Sequence, residues 1–270
     1  MGKTQRSTKV KVSHEVPLQL LKESKQFNDY DYCLPHLLDQ YKVYKDYFYQ
    51  AKKEGRYIIM DNSLHELGKA YDTSRLLYWI SELEPDEFIV PDVWENGHYS
   101  VRNAKTWSTV EMPDNTTKVA VVQGKSYSDF VNGYQSYKWF GYEKIAFSYG
   151  ASWFEECFKH PNPYVAKMMG RLKTITNLYK GGLISDTDRV HLLGCNLPQE
   201  YLYYKDFKFI ESIDTSNPII HGLEGIRYSE GGLLQKSKQK IDKDFVQKVT
   251  LKQKENILYN VEMFKKINNL

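Results

Sequence analysis

Tyr57-Ile58-Ile59-Met60 runs directly into Asp61-Asn62-Ser63. An apolar run of strand length that ends abruptly in small polar residues recurs along the chain. Phe88-Ile89-Val90 ends in Pro91-Asp92, Val119-Ala120-Val121-Val122 in Gln123-Gly124, and Lys144-Ile145-Ala146-Phe147 in Ser148-Tyr149-Gly150. Val190-His191-Leu192-Leu193 ends in Gly194-Cys195, and Phe209-Ile210-Glu211-Ser212-Ile213 in Asp214-Thr215-Ser216. Tyr30 to Leu34 is a weaker run of the same kind. Near-continuous apolar strands are what a parallel sheet covered on both faces requires. Helical patterns separate them, at roughly 35–54, 73–83, 99–110, 127–140, 161–181 and 197–206. Such alternation leaves a doubly wound open sheet or a barrel. In an open sheet, polar groups gather at one switch point served by two or three strands. Six strand ends carrying polar groups converge only if the sheet closes, so the pattern predicts an α/β fold of the (β/α)8 TIM-type barrel class, with its site at the C-terminal rim.

Outward from the strands, residues 1–12 read as a mobile basic arm or edge segment. Residues 215–238 read as a loop, and 240–268 as a charged C-terminal helix with apolar positions Ile241, Phe245, Val249, Ile257, Val261 and Phe264. With no linker-like tract, residues 1–270 are expected to form a single barrel domain. Hydrophobic residues make up 41% and charged residues 26%, which supports a packed core and argues against wholesale disorder. Lys and Arg total 37 against 34 Asp and Glu, so the net charge of +3 does not by itself indicate nucleic acid. No apolar run approaches membrane-spanning length and the first residues lack a secretory pattern, so the expectation is a cytoplasmic protein with no membrane partner. Cys33, Cys157 and Cys195 are too widely spaced for a disulfide framework or a zinc knuckle.

Three carboxylates follow apolar strands: Asp61, Asp92 and Asp214. One such Asp is as readily a helix cap as a catalyst. Three at one rim favour chemistry, and paired carboxylates act as nucleophile and proton carrier in retaining glycosyl transfer. A divalent cation held by Asp61, Asp92, His191 and Asp214 is the rival reading, without His-rich spacing to support it. Gln123 can read an amide-like base edge, and Gly124 lets backbone approach a flat ring. Ser148, Tyr149 and Gly150 offer space and backbone N–H groups. His191 reads as a satisfied barrel-interior residue, Glu66 as an N3-type cap, and Cys195 as structural.

In order, the segments Ile59-Met60-Asp61-Asn62-Ser63, Phe88 to Asp92, Val121-Val122-Gln123-Gly124, Gly141 to Ser148, His191-Leu192-Leu193-Gly194 and Glu211-Ser212-Ile213-Asp214 resemble the motifs of the tRNA-guanine transglycosylase superfamily. Asn62-Ser63-Leu64 and Ser148-Tyr149 depart from the family's glycine-rich versions, and no Cys follows Cys195 to build its zinc module. The chain is thus more similar to the zinc-free branch that inserts 7-deazaguanines into DNA in bacteria and their viruses. That resemblance implies a base-exchange transglycosylase, with Asp214 as nucleophile and Asp61 as general acid/base. It implies base binding by Asp92, Gln123, Gly124, Ser148, Tyr149, Gly150 and Leu193, with Ser63 and His191 nearby in open roles. It implies DNA as partner (RNA as the alternative), a preQ0-type 7-deazaguanine base as co-substrate, and no cofactor or metal. A partner protein or homo-oligomer stays open, as do a zinc-free tRNA enzyme, a hydrolysing nucleoside N-glycosylase, and a barrel that only binds bases. Lys3, Arg6, Lys9 and Lys11 of the arm are expected to contact phosphates.

Overall fold

A computed structural model describes residues 9–236 and 246–270. Eight parallel strands form one sheet: β1 Lys11–Ser13, β2 Asp31–Cys33, β3 Ile58–Met60, β4 Glu87–Ile89, β5 Thr117–Val122, β6 Lys144–Ser148, β7 Arg189–Leu193 and β8 Ile210–Asp214. Their order, β1-β8-β7-β6-β5-β4-β3-β2, brings the first and second strands to opposite ends of one curled sheet. The fold is a (β/α)8 TIM-type barrel.

The remaining seam, between β1 and β2, is stitched by side chains. Val12 N donates to Asp29 Oδ2 (2.9 Å) and Asp29 N to Val12 O (2.9 Å). Asn28 exchanges two bonds with the His14 backbone, at 2.8 and 2.9 Å. The Tyr30 hydroxyl donates to Ile213 O at 2.6 Å.

Helices cover the strands. Residues 35–54 form two helices, α2 Pro35–Gln40 and α3 Lys42–Lys53, after the short α1 Leu21–Ser24; Tyr41, at φ −127° and ψ 111°, breaks the expected single helix. There follow α4 Leu64–Leu67, α5 Thr73–Leu83, α6 Gly97–Ser108, α7 Tyr127–Trp139, α8 Ser152–Cys157 and α9 Pro163–Lys180. The expected helix at 197–206 is a 3-10 turn, Glu200–Tyr204.

Three expectations need correction. The arm does not extend to residue 12: Lys11 and Val12 lie in β1, whose Ser13 pairs with Asp214. Lys11 stands at the N-terminal end of its strand, its ammonium 4.6 Å from the centre of the Tyr57 ring. In a parallel barrel that end faces away from the C-terminal rim, so this lysine is not placed to hold phosphates there. Lys3 and Arg6 lie outside the described residues.

The segment 215–238 is not all loop. Asn217–Leu223 forms α10, with Pro218 in the first turn, where its missing N–H costs nothing. Every residue of α10 is buried.

The last helix, α11, runs from Leu251 to Asn268 rather than from 240. Thr250 starts it with a capping box, its hydroxyl accepting from Gln253 N while Gln253 returns a bond to the Thr250 N–H. Ile241 and Phe245 lie outside the described residues; Val249, Ile257, Val261 and Phe264 are buried as expected. The helix lies against α10 so closely that a Cβ on Gly222 would meet the Ile257 backbone at 2.6 Å. No described helix is long and apolar enough to cross a membrane.

Candidate active site

The strand ends open into a cavity of about 140 Å³ at the C-terminal rim, a volume of the scale that houses one aromatic ring. Among the predicted residues, Asp61, Asp92, Gln123, Ser148, Tyr149, Leu193 and Asp214 line it. Ser63, Gly124, Gly150 and His191 do not line it; Ser63, Gly150 and His191 each act on a residue that does.

Asp61 is held from two sides. Tyr32 donates its hydroxyl to Oδ1 at 2.9 Å, and the Ser63 backbone N–H reaches Oδ2 at 2.9 Å. Ser63 itself lies in the left-handed region, at φ 58°, and its hydroxyl is anchored 2.7 Å from His36 Nδ1. Burial, aided by Asp214, lifts the Asp61 carboxyl to about 7 against the pull of these donors. It therefore exchanges a proton near neutrality, as an acid/base group must.

Asp92 is gripped by two amides: Asn62 Nδ2 donates to Oδ1 and Gln123 Nε2 to Oδ2, each at 2.7 Å. Burial raises it to about 6, with both donors opposing. Gln123 also accepts from Glu95 N at 3.1 Å. Its amide is thus committed to orienting Asp92 more than to reading a base edge. A carboxylate accepts about four bonds, so Asp92 retains acceptor capacity for a ligand.

Asp214, at the end of β8, receives His191 Nε2 at 2.9 Å and Gly194 N at 3.4 Å, both on Oδ1. Among the described residues none donates to Oδ2. Gly194 sits at φ 59°, and a Cβ there would strike the Tyr149 ring at 2.4 Å. Glycine is required on both counts.

Gly124 is not beside the cavity: a Cβ would meet the Asp129 side chain at 2.2 Å, so its bareness serves the packing of the α7 cap. Gly150 makes room for Trp94, whose ring would lie 2.5 Å from an added Cβ.

Several cavity residues carry no strand-end signal in the sequence. Glu15 follows β1, and its carboxyl is raised well above the usual range by burial, then by Glu66, Asp214 and Asp61. Trp94 and Lys236 also line the site. The Lys236 ammonium rests 3.3 Å from the Tyr149 ring centre and donates to Cys195 O at 2.8 Å; burial lowers it to about 8. Glu66 lines the cavity too. The Cys195 thiol is pushed up to about 12 by burial and the neighbouring Glu200, which suits its structural reading. Among the described residues no three His, Cys, Asp or Glu side chains are grouped as a metal site groups them.

The raised Asp61 has a consequence for stability. Folded, the carboxyl keeps its proton to about pH 7, whereas unfolded it loses it near pH 3.9. Its contribution is present in full below about pH 4 and is lost as pH rises towards 7, above which a buried carboxylate weighs on the fold. Asp61→Asn keeps an acceptor for Ser63 N without the charge. Denaturant melts should show it more stable than the parent by on the order of 2–4 kcal/mol at pH 8 and equal at pH 4. The same gain at both pH values would mean that Asp61 is not the group responsible.

Compared with models of known protein families and with curated proteins, the chain matches none.

Proposed function

We propose that the barrel is a base-exchange transglycosylase that replaces guanine in DNA by a 7-deazaguanine through a covalent Asp214–sugar ester. This is the activity implied by the resemblance to the tRNA-guanine transglycosylase superfamily. The observation that carries the reading is the division of labour among three rim carboxylates in one ring-sized cavity. Among the described residues Asp214 has an oxygen without a protein donor, Asp61 is lifted to about 7, and Asp92 is held edge-on by two amides.

In the first displacement, Asp214 Oδ2 attacks C1′, the C1′–N9 bond breaks, and the departing guanine takes the electron pair and a proton from Asp61. In the second, Asp61 takes the N9 proton of the incoming deazaguanine, N9 attacks C1′, and the ester bond breaks to return Asp214. Two inversions retain the β configuration. Asp92 accepts from N1–H and the 2-amino group of either base. Leu193 and Tyr149 bound the ring.

The test is a base-exchange assay with guanine-containing DNA and labelled 7-deazaguanine; no incorporation into DNA or tRNA sinks the reading. In Asp92→Asn, one acceptor becomes a donor. Base affinity measured by calorimetry should fall by about 1–3 kcal/mol, and unchanged affinity removes Asp92 from base recognition.

A second reading has its own support. Among the described residues, Glu15, Asp61, Glu66, Asp92 and Asp214 line the cavity with Lys236 as the one lysine or arginine. A mouth whose described lining offers many carboxyls and one lysine gives a polyanion little to pair with and suits a free nucleoside, cleaved by water. Release of guanine from deoxyguanosine without incorporation of deazaguanine would select it.

A further inference from the structure

A buried polar chain runs up the inside of the barrel from β4 to Asp214. Lys144 on β6 gives its three hydrogens to Glu87 Oε1 (2.9 Å), Glu87 Oε2 (2.6 Å) and Ser212 Oγ (2.8 Å). Glu87 is held in turn by the Tyr57 hydroxyl at 2.7 Å and Arg189 Nη2 at 2.8 Å. Ser212 Oγ lies 2.8 Å from His191 Nδ1, and His191 Nε2 lies 2.9 Å from Asp214 Oδ1. Glu87, Lys144, His191 and Ser212 are at most 1% exposed, so water does not substitute for any of these partners.

The direction of each bond follows from the first. A lysine ammonium donates only. Ser212 Oγ therefore accepts from Lys144, and among the described residues His191 Nδ1 is the one acceptor within reach of its own proton, while the Asp214 carboxylate opposite calls for a proton on Nε2. Nδ1 is then the acceptor, and the imidazole proton sits on Nε2, aimed at Asp214 Oδ1.

We propose that His191 is a positioning residue for Asp214, locked as the Nε2–H tautomer by the Glu87–Lys144–Ser212 chain. The proposal rests on the base-exchange reading for what Asp214 does, but not for the lock itself. The Nε2–H bond fixes the carboxylate with Oδ1 bound and Oδ2 turned to the sugar. In the ester, the same hydrogen stays on His191 and polarises Oδ1 as the second displacement expels the carboxylate. No proton is transferred. The opposite tautomer would set a nitrogen lone pair against Oδ1 and swing the carboxylate away. Tyr32, which donates to Asp61, has its ring parallel to the imidazole within 9°, 6.3 Å away, so one stack borders both carboxylates.

The test is nitrogen NMR of the substrate-free protein with ¹⁵N-labelled histidine, the His191 signals assigned by their loss in His191→Gln. The expected spectrum has Nδ1 unprotonated and Nε2 protonated. Ser212→Ala should populate the Nδ1–H form and slow exchange by roughly 10–100-fold, the scale on which groups that orient a reacting side chain act. Ser212→Thr, which keeps the hydroxyl, should retain both tautomer and rate. A parent ring protonated on Nδ1, or a tautomer unmoved by Ser212→Ala, overturns the lock. The expected tautomer in a protein without exchange activity supports the lock and counts against base exchange, so the two claims fail separately.

Discussion

Asp214→Ala protein, incubated with guanine-containing DNA and labelled 7-deazaguanine, incorporates no label and carries no sugar adduct. The parent under the same conditions is expected to yield a denaturation-stable adduct whose peptide map ends on Asp214. The whole effect is expected because the ester is the midpoint of the proposed base exchange. Asp92 has both oxygens under amides, and Asp61 has one oxygen on Tyr32 and the other on the Ser63 backbone. Neither is placed to take over as nucleophile. Asp61→Asn should instead slow exchange by roughly 10²–10⁴-fold, the usual worth of general acid–base help, and still leave the adduct. An adduct on Asp61 or Asp92 reverses the assignment; an active Asp214→Ala protein ends the covalent mechanism.

The second large effect is on stability. Arg171, on α9, is wholly buried. Its guanidinium pairs with Glu200 at 2.7 Å and donates to Phe147 O (3.3 Å), Leu193 O (3.0 Å) and Gly194 O (2.9 Å). One side chain thus ties the ends of β6 and β7, where Ser148, Tyr149, Leu193 and Gly194 shape the cavity. Arg171→Met leaves the fully buried Glu200 carboxylate without its cation, with the Asn196 N–H on Oε2, and takes a donor from three carbonyls, of which Gly194 O keeps the Tyr201 hydroxyl. Removing one partner of a buried pair typically costs about 3–5 kcal/mol, and urea melts of Arg171→Met should show a loss of that order. Arg171→Met/Glu200→Gln, which removes the stranded charge, should recover part of it. A single variant within about 0.5 kcal/mol of the parent would mean that the rim is held by other contacts.

The barrel is legible in the sequence because its middle strands are apolar on both faces. Val119–Val122 and Ile145–Phe147 leave no polar face for an exposed sheet. β1 escaped notice because Lys11–Ser13 has a single apolar residue, Val12; its strand character comes from pairing with β8 and from Asp29, both remote in sequence. Glu15 went unnoticed with it. The carboxylates Asp61, Asp92 and Asp214 were legible as strand-end residues, and the cavity does gather them. What their neighbours do was not. Gln123 faces Asp92 and Gly150 clears Trp94, partners from another βα unit where local pattern carries no information, while Gly124 clears Asp129 in the cap of its own βα unit. The helix of residues 217–223 was hidden by the glycines that follow it, although Asn217-Pro218 is a helix-start signal.

The side-chain stitching between β1 and β2 bears on how the chain reaches this structure. His14 is tied to Thr215, 201 residues away, by an Nδ1 to carbonyl contact of 2.9 Å. Closing so long a loop carries a large entropic cost, recovered only when the contacts on both sides exist. Strands β2 to β8 each pair with a sequence neighbour, whereas β1 has its one ladder with β8 and meets the segment before β2 only through the Asn28 and Asp29 bonds. Pairing of β1 with β8 is therefore expected to be among the later steps of folding. Glu15, which follows β1, meets Asp214 only once that pairing forms, so the repulsion between these acids is expected to weigh on ring closure rather than on the earlier strands.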